Sequence, residues 1–102
     1  MTTHGGRKVA LVLMKSDEAD ATIDALEREH SDVEVADNGT YWHISAPNEI
    51  VVSMDKVSQE LGRPIGLSQW LVVMSSFVGR AAPGPDYFRV TSKMVELGGE
   101  IG

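Results

Sequence analysis

Apolar positions recur with two different periods along this chain. Lys8 to Met14, KVALVLM, is a continuous β-rich apolar run of the kind that suits a strand covered on both faces. The next segment changes period. Ala19, Ile23, Leu26 and His30 recur at helical spacing, Asp24 and Arg28 stand four apart on the polar side, and Ser16 or Asp17 offers an N-cap. Asp17, Glu18 and Asp20 complement the helix dipole, so the spacing predicts a helix over about 17–30. Val33 and Val35 then alternate with Glu34 and Ala36. Asp37-Asn38-Gly39 separates them from Tyr41, Trp42, His43 and Ile44, and Asn-Gly between two β-rich runs predicts a hairpin.

The second half repeats the order. Glu49 to Ser53 reads as a short strand. Ser53 or Asp55 caps a helix with Met54, Val57 and Leu61 on one stripe, and Gly62 is placed to end it, with Pro64 beyond. Gln69 to Val78, rich in valine and aromatics, reads as a strand; a helix across Leu67 to Val78 is the alternative, since short apolar runs are ambiguous. Pro83-Gly84-Pro85-Asp86 makes a turn and Tyr87 to Thr91 the returning strand. The expectation is an α+β fold of two tandem βαββ units packed into one compact domain spanning 1–102. Its ordered core covers about 8–92, with short tails at 1–7 and 93–102.

Composition narrows what such a domain can do. The formal charge is −6, from 15 acidic and 9 basic residues, which argues against nucleic acid and anionic membrane surfaces. There is no cysteine, so disulfides, thiolate nucleophiles and cysteine-held metals are excluded, and the chain fits a reducing cytoplasm. Met1 to Arg7 lacks the apolar core of a signal peptide. The uncharged run Pro64 to Gly79 is shorter than the roughly 20 apolar residues of a membrane helix and is interrupted by serines and Gln69, so it reads as core or interface.

Catalytic constellations are missing. His4, His30 and His43 lack metal-ligand spacing, and there is no HExxH, GxSxG, GxGxxG or phosphate loop. Glu27-Arg28-Glu29-His30 does match E-x-x-H. A di-iron carboxylate site needs two such motifs and two further glutamates within a four-helix bundle, so this copy reads as a solvated helix end. The expectation is no catalytic residue, no metal and no cofactor.

Short segments of the second half carry a resemblance. Leu61-Gly62-Arg63-Pro64-Ile65 resembles the LGRPF segment of toluene and phenol hydroxylase effectors. Val72 to Ala81 is similar to the VSSTxGRA segment of the methane monooxygenase regulator, and Tyr87-Phe88-Arg89-Val90 looks like the strand that follows it in both. Their order over 49–91 is more specific than any one of them. The chain thus resembles the effector, or coupling, proteins of soluble di-iron multicomponent monooxygenases.

The resemblance implies a non-catalytic, cofactor-free component that docks on a di-iron hydroxylase and alters oxygen activation, substrate entry and coupling to electron transfer. It also implies competition with a ferredoxin or reductase component. No heptad pattern suggests a dimer, so the free protein is expected to be a monomer. Two departures matter. Only about seven residues precede the first strand, and Phe77 stands where the methane regulator has threonine. Neither tail-based regulation nor methane as substrate therefore follows from the resemblance. The expected partner-binding residues are Val73, Met74, Ser75, Ser76, Phe77 and Gly79, in the uncharged run, because interface cores are depleted in charge, and Arg80 beside them in the segment that carries the resemblance. Strand alternation would put Ser75 and Phe77 on one face and Met74, Ser76 and Val78 on the other. The rival reading is a small α+β ligand-binding module, or a ferredoxin-like enzyme, with its own pocket.

Overall fold

Ser16 sets the first helix. Its hydroxyl accepts a 3.0 Å hydrogen bond from the Ala19 amide, and α1 runs Asp17–Glu29 with Asp17, Glu18 and Asp20 in its first turn and Arg28 in the last. The computed structural model describes residues 8–92; the tails expected at 1–7 and 93–102 lie outside the described residues. α1 follows β1 (Lys8–Met14) and precedes the hairpin β2 (Glu34–Asp37) and β3 (Tyr41–Pro47). The hairpin forms where Asn38-Gly39 predicts it, closed by the Asn38 amide donating to the Tyr41 carbonyl at 2.9 Å.

The second half runs β4 (Glu49–Ser53), α2 (Met54–Leu61), α3 (Leu67–Val73), β5 (Met74–Val78), β6 (Arg80–Pro83) and β7 (Tyr87–Thr91). Gly62 ends α2 in the left-handed conformation, φ 83°, where a side chain would be strained. Small residues on the buried face of α1, Ala19, Ala21, Thr22 and Ala25, let α2 lie close against it. Ion pairs line the edges of this region: Glu29 with Lys56, Arg28 with Glu60 at 2.6 Å, and Glu18 with Arg63 at 3.3 Å. The Lys56 ammonium holds the Glu29 carboxyl below its ordinary pKa. Backbone hydrogen bonding first, and Arg63 second, do the same for Glu18. These pairs lie at the surface, with Glu18 and Glu60 half-buried, and solvent screening keeps their contribution small.

The strands form two antiparallel sheets, ordered β2-β3-β1-β5 and β4-β7-β6. Their inner faces meet in one core. Val9, Leu11, Leu13 and Ile44 come from the first sheet, and Ile50, Val52, Phe88 and Val90 from the second. Leu26, Val57 and Trp70 come from the helices, and each such side chain contributes roughly 1.5–3 kcal/mol.

The α+β class holds. The second half departs from the repeated strand–helix–strand–strand order by its extra helix α3, and otherwise keeps it only when β5 and β6 are counted as the two halves of one bent strand. Only Gly79 separates them. It adopts φ +130°, and a Cβ there would lie 3.0 Å from Val9 Cγ1 and 3.1 Å from the Thr91 carbonyl oxygen. The chain turns this corner and passes from one sheet to the other, so β5 pairs with β1 and β6 with β7. The two halves interlock rather than each closing its own sheet.

One expectation is corrected. Gln69–Val73 is not strand but the greater part of α3. The Gln69 side chain accepts a 2.9 Å hydrogen bond from the Gly66 amide, satisfying a helix-start donor. Trp70 and Val73, three apart, then share the buried side. Strand begins only at Met74.

Candidate partner-docking surface

β5 is an edge strand, paired with β1 on one side only. The register Ala10↔Val78, Leu11↔Phe77, Val12↔Ser76 then jumps to Leu13↔Met74, which leaves Ser75 as the extra residue of a bulge. The alternation expected for this strand is therefore broken at Ser75. Phe77 and Met74 both stand opposite inward-facing residues of β1, while Ser76 and Val78 stand opposite Val12 and Ala10 on the outer face.

Exposure is concentrated on this segment and the helix before it. Val72 is 73% exposed, Val78 57%, Phe77 39% and Leu71 36%, unusually high for large apolar side chains. Ser75 and Ser76 are exposed between them. Of the expected residues, Arg80 is exposed, Gly79 forms the corner, Met74 is half-buried against the core, and Val73 is buried at 7%. Val73 thus serves packing, while its neighbours Leu71 and Val72 carry the exposed apolar surface. Sequence reasoning missed those two because a strand over 69–78 gave no ground for separating them from Val73. The signal that separates them is the 3.6-residue period counted from Gly66, which turns Trp70 and Val73 inward and Val72 outward.

The surface continues across the outer face of the first sheet through Val12 and Met14 of β1 and Tyr41 and His43 of β3. Met14 and Tyr41 are exposed, Val12 and His43 half-buried. The charges on this face, Lys8 and Glu34, pair with each other at 3.3 Å. A bulged edge is poorly suited to adding another strand, because the extra residue interrupts the ladder. It suits contact through side chains.

Phe77 is also tied inward. Its ring meets Phe88 edge to face, with centroids 5.9 Å apart and planes at 66°. Phe88 in turn packs on Trp70 at 5.4 Å.

The E-x-x-H sequence has no helical geometry to offer. His30 is the cap of α1, with extended backbone, φ −129° and ψ 126°, so it does not stand above Glu27 on one helical face. Among the described residues no group of three or more His, Asp or Glu side chains converges as a metal site. An open groove of about 220 Å³ lies on a floor of Ala25, Leu26, Val51 and Val52, with His30, Ser53 and the Glu29–Lys56 ion pair at its sides. No helix of the described residues is long and apolar enough to cross a membrane.

Comparison with known proteins places the chain. It is 35% identical over 100 residues to methane monooxygenase regulatory protein B of Methylococcus capsulatus (strain Bath), covering 92% of this chain and 71% of that protein. It is 33% identical over 99 residues to the protein of the same name from Methylosinus trichosporium, covering 92% and 72%. A solved structure of the soluble methane monooxygenase regulatory protein B superposes with a TM-score of 0.70 at 33% identity, covering 99% of this chain and 76% of that one. A chain of a phenol hydroxylase–regulatory protein complex superposes with a TM-score of 0.75 at 20% identity, covering 83% and 98%, which shows a shared fold. A sequence model of the MmoB/DmpM family matches residues 7–91, and this chain belongs to that family.

Proposed function

We propose that this chain is the non-catalytic regulatory component of a multicomponent monooxygenase. It docks on the di-iron hydroxylase and regulates oxygen activation, substrate access and electron-transfer coupling in hydrocarbon oxidation. The observation that carries the reading is the identity to methane monooxygenase regulatory proteins across 92% of the chain. The docking surface is the exposed apolar segment of α3 and β5: Leu71, Val72, Ser75, Ser76, Phe77 and Val78, flanked by Met74, Gly79 and Arg80.

The mechanism is a population shift. A regulator without chemistry of its own acts only through unequal affinity for two conformations of its partner. A tenfold shift needs about 1.4 kcal/mol of differential binding. At ~25 cal/mol per Å², roughly 60 Å² more apolar surface buried against one conformation than the other is enough. The costs of association largely cancel in that difference. Val72, Val78, Phe77 and Leu71 together offer such an area.

The free protein is a cytoplasmic monomer in this reading. Excess regulator slows turnover by occupying ground that the ferredoxin or reductase component also uses. Titration of the chain into steady-state turnover of its hydroxylase and reductase tests the proposal. The rate rises to a maximum near stoichiometric regulator and declines beyond it. A rate indifferent to the chain at every ratio contradicts a regulatory role.

A further inference from the structure

Phe77 and Phe88 belong to different sheets. Phe77 lies on the edge of the first, opposite Leu11. Phe88 lies on the middle strand of the second, between Val52 and Pro83. The edge-to-face contact between them joins an exposed ring to a buried one. Behind Phe88 stands Trp70, fully buried, with its indole N–H donating to Thr22 Oγ1 at 2.9 Å. The Thr22 hydroxyl in turn donates to the Glu18 carbonyl at 2.8 Å within α1. The half-exposed ring is therefore the outer end of a three-ring column whose inner end is fastened to a helix.

A phenylalanine on an edge strand has few neighbours to choose its rotamer, and an unrestrained ring loses freedom when a partner closes over it. The edge-to-face contact between Phe77 and Phe88 supplies the restraint. Aromatic pairs prefer this offset or T-shaped geometry, which is directional where plain apolar contact is not.

We propose that Phe88 is a positioning residue for docking. Too buried to form the docking surface itself, it fixes the direction in which Phe77 presents its ring, and so helps set which substrate sizes the hydroxylase accepts. The inference rests on the reading of Phe77 as a docking group given above.

A double-variant cycle tests it: wild type, Phe77→Leu, Phe88→Leu and both together. Each is saturated onto the hydroxylase well below its melting temperature. The readout is the ratio of turnover rates for a small and a large hydrocarbon, such as propene and toluene. Phe88→Leu keeps the position apolar and near its volume, and Phe88→Met carries the same test if the leucine variant does not fold. The expected result is a ratio changed by roughly two- to tenfold in the direction Phe77→Leu changes it, the factor an aromatic pair can carry. The double variant should change no more than either single one. A merely structural Phe88 would lower the melting temperature and leave the ratio alone. That outcome, or two effects that multiply independently, overturns the inference while leaving Phe77 as a docking group. A ratio unmoved by Phe77→Leu itself overturns both the docking assignment of Phe77 and the role given to Phe88.

Discussion

The Trp70 indole N–H donates a 2.9 Å hydrogen bond to the hydroxyl of Thr22, a buried polar contact 48 positions apart in sequence that ties α3 to α1. Both residues are fully buried. Replacing Thr22 by valine keeps the shape and leaves the indole donor without a partner, at a cost of about 1–3 kcal/mol. For a domain of this size that is a melting temperature lower by roughly 5–15 °C. Trp70→Phe combined with Thr22→Val should cost less than the sum of the two, because both remove the same bond. A Thr22→Val protein that melts with the wild type would show that the bond contributes nothing.

Gly79 is where one strand changes sheets. Gly79→Ala puts a Cβ at φ +130° and within 3.1 Å of both Val9 and the Thr91 carbonyl. The expected destabilisation is about 1–3 kcal/mol, measured by urea unfolding. A neutral substitution would mean that the corner relaxes easily and that the two sheets are not locked at this point.

Acid should weaken the domain in a defined window. Glu29 and Glu18 have ordinary pKa values of 4.5 and are held below them, Glu29 by Lys56 and Glu18 by backbone hydrogen bonding and Arg63. Asp37 is held below its ordinary 3.8 by Lys15 and then by the Gly39 amide. A carboxyl with a depressed folded pKa contributes fully above the unfolded value and loses its contribution as pH falls through the folded one. The melting temperature is therefore insensitive to these groups above about pH 5 and falls as the pH drops below 4.5. Lys56→Gln should reduce that fall. An acid transition identical in Lys56→Gln and wild type would remove the Glu29–Lys56 pair from the account.

Much of this fold is legible in the sequence because its local signals agree with its tertiary contacts. Ser16 and Ser53 are the caps, Gly62 is the stop, and Asn38-Gly39 makes the hairpin. The failure is confined to 67–83. There, a run of apolar residues satisfies helix and strand alike, and the deciding features are non-local. The Trp70 indole is held by Thr22 of α1, 48 positions away, a contact that the local sequence does not announce. β6 contains a proline and four residues, too little to register as a strand, and it exists because β7 offers it a ladder. Absence of charge marks 64–79 as interface or core but does not divide the two. The division between buried Val73 and exposed Val72 came only with the helix.

Val72 provides the most direct test of the central claim that this surface binds the hydroxylase. At 73% exposure a charge there meets water in the free protein, so the stability of Val72→Glu should stay within about 0.5 kcal/mol of the wild type. In a docked complex the same carboxylate would be pressed into an apolar contact without a partner, at a cost of about 1.4 kcal/mol or more. Binding of the folded Val72→Glu protein to the purified hydroxylase, measured by calorimetry, should be weaker by at least roughly tenfold. Unchanged affinity in a variant that is fully folded would contradict the assignment of α3 and β5 as the docking surface.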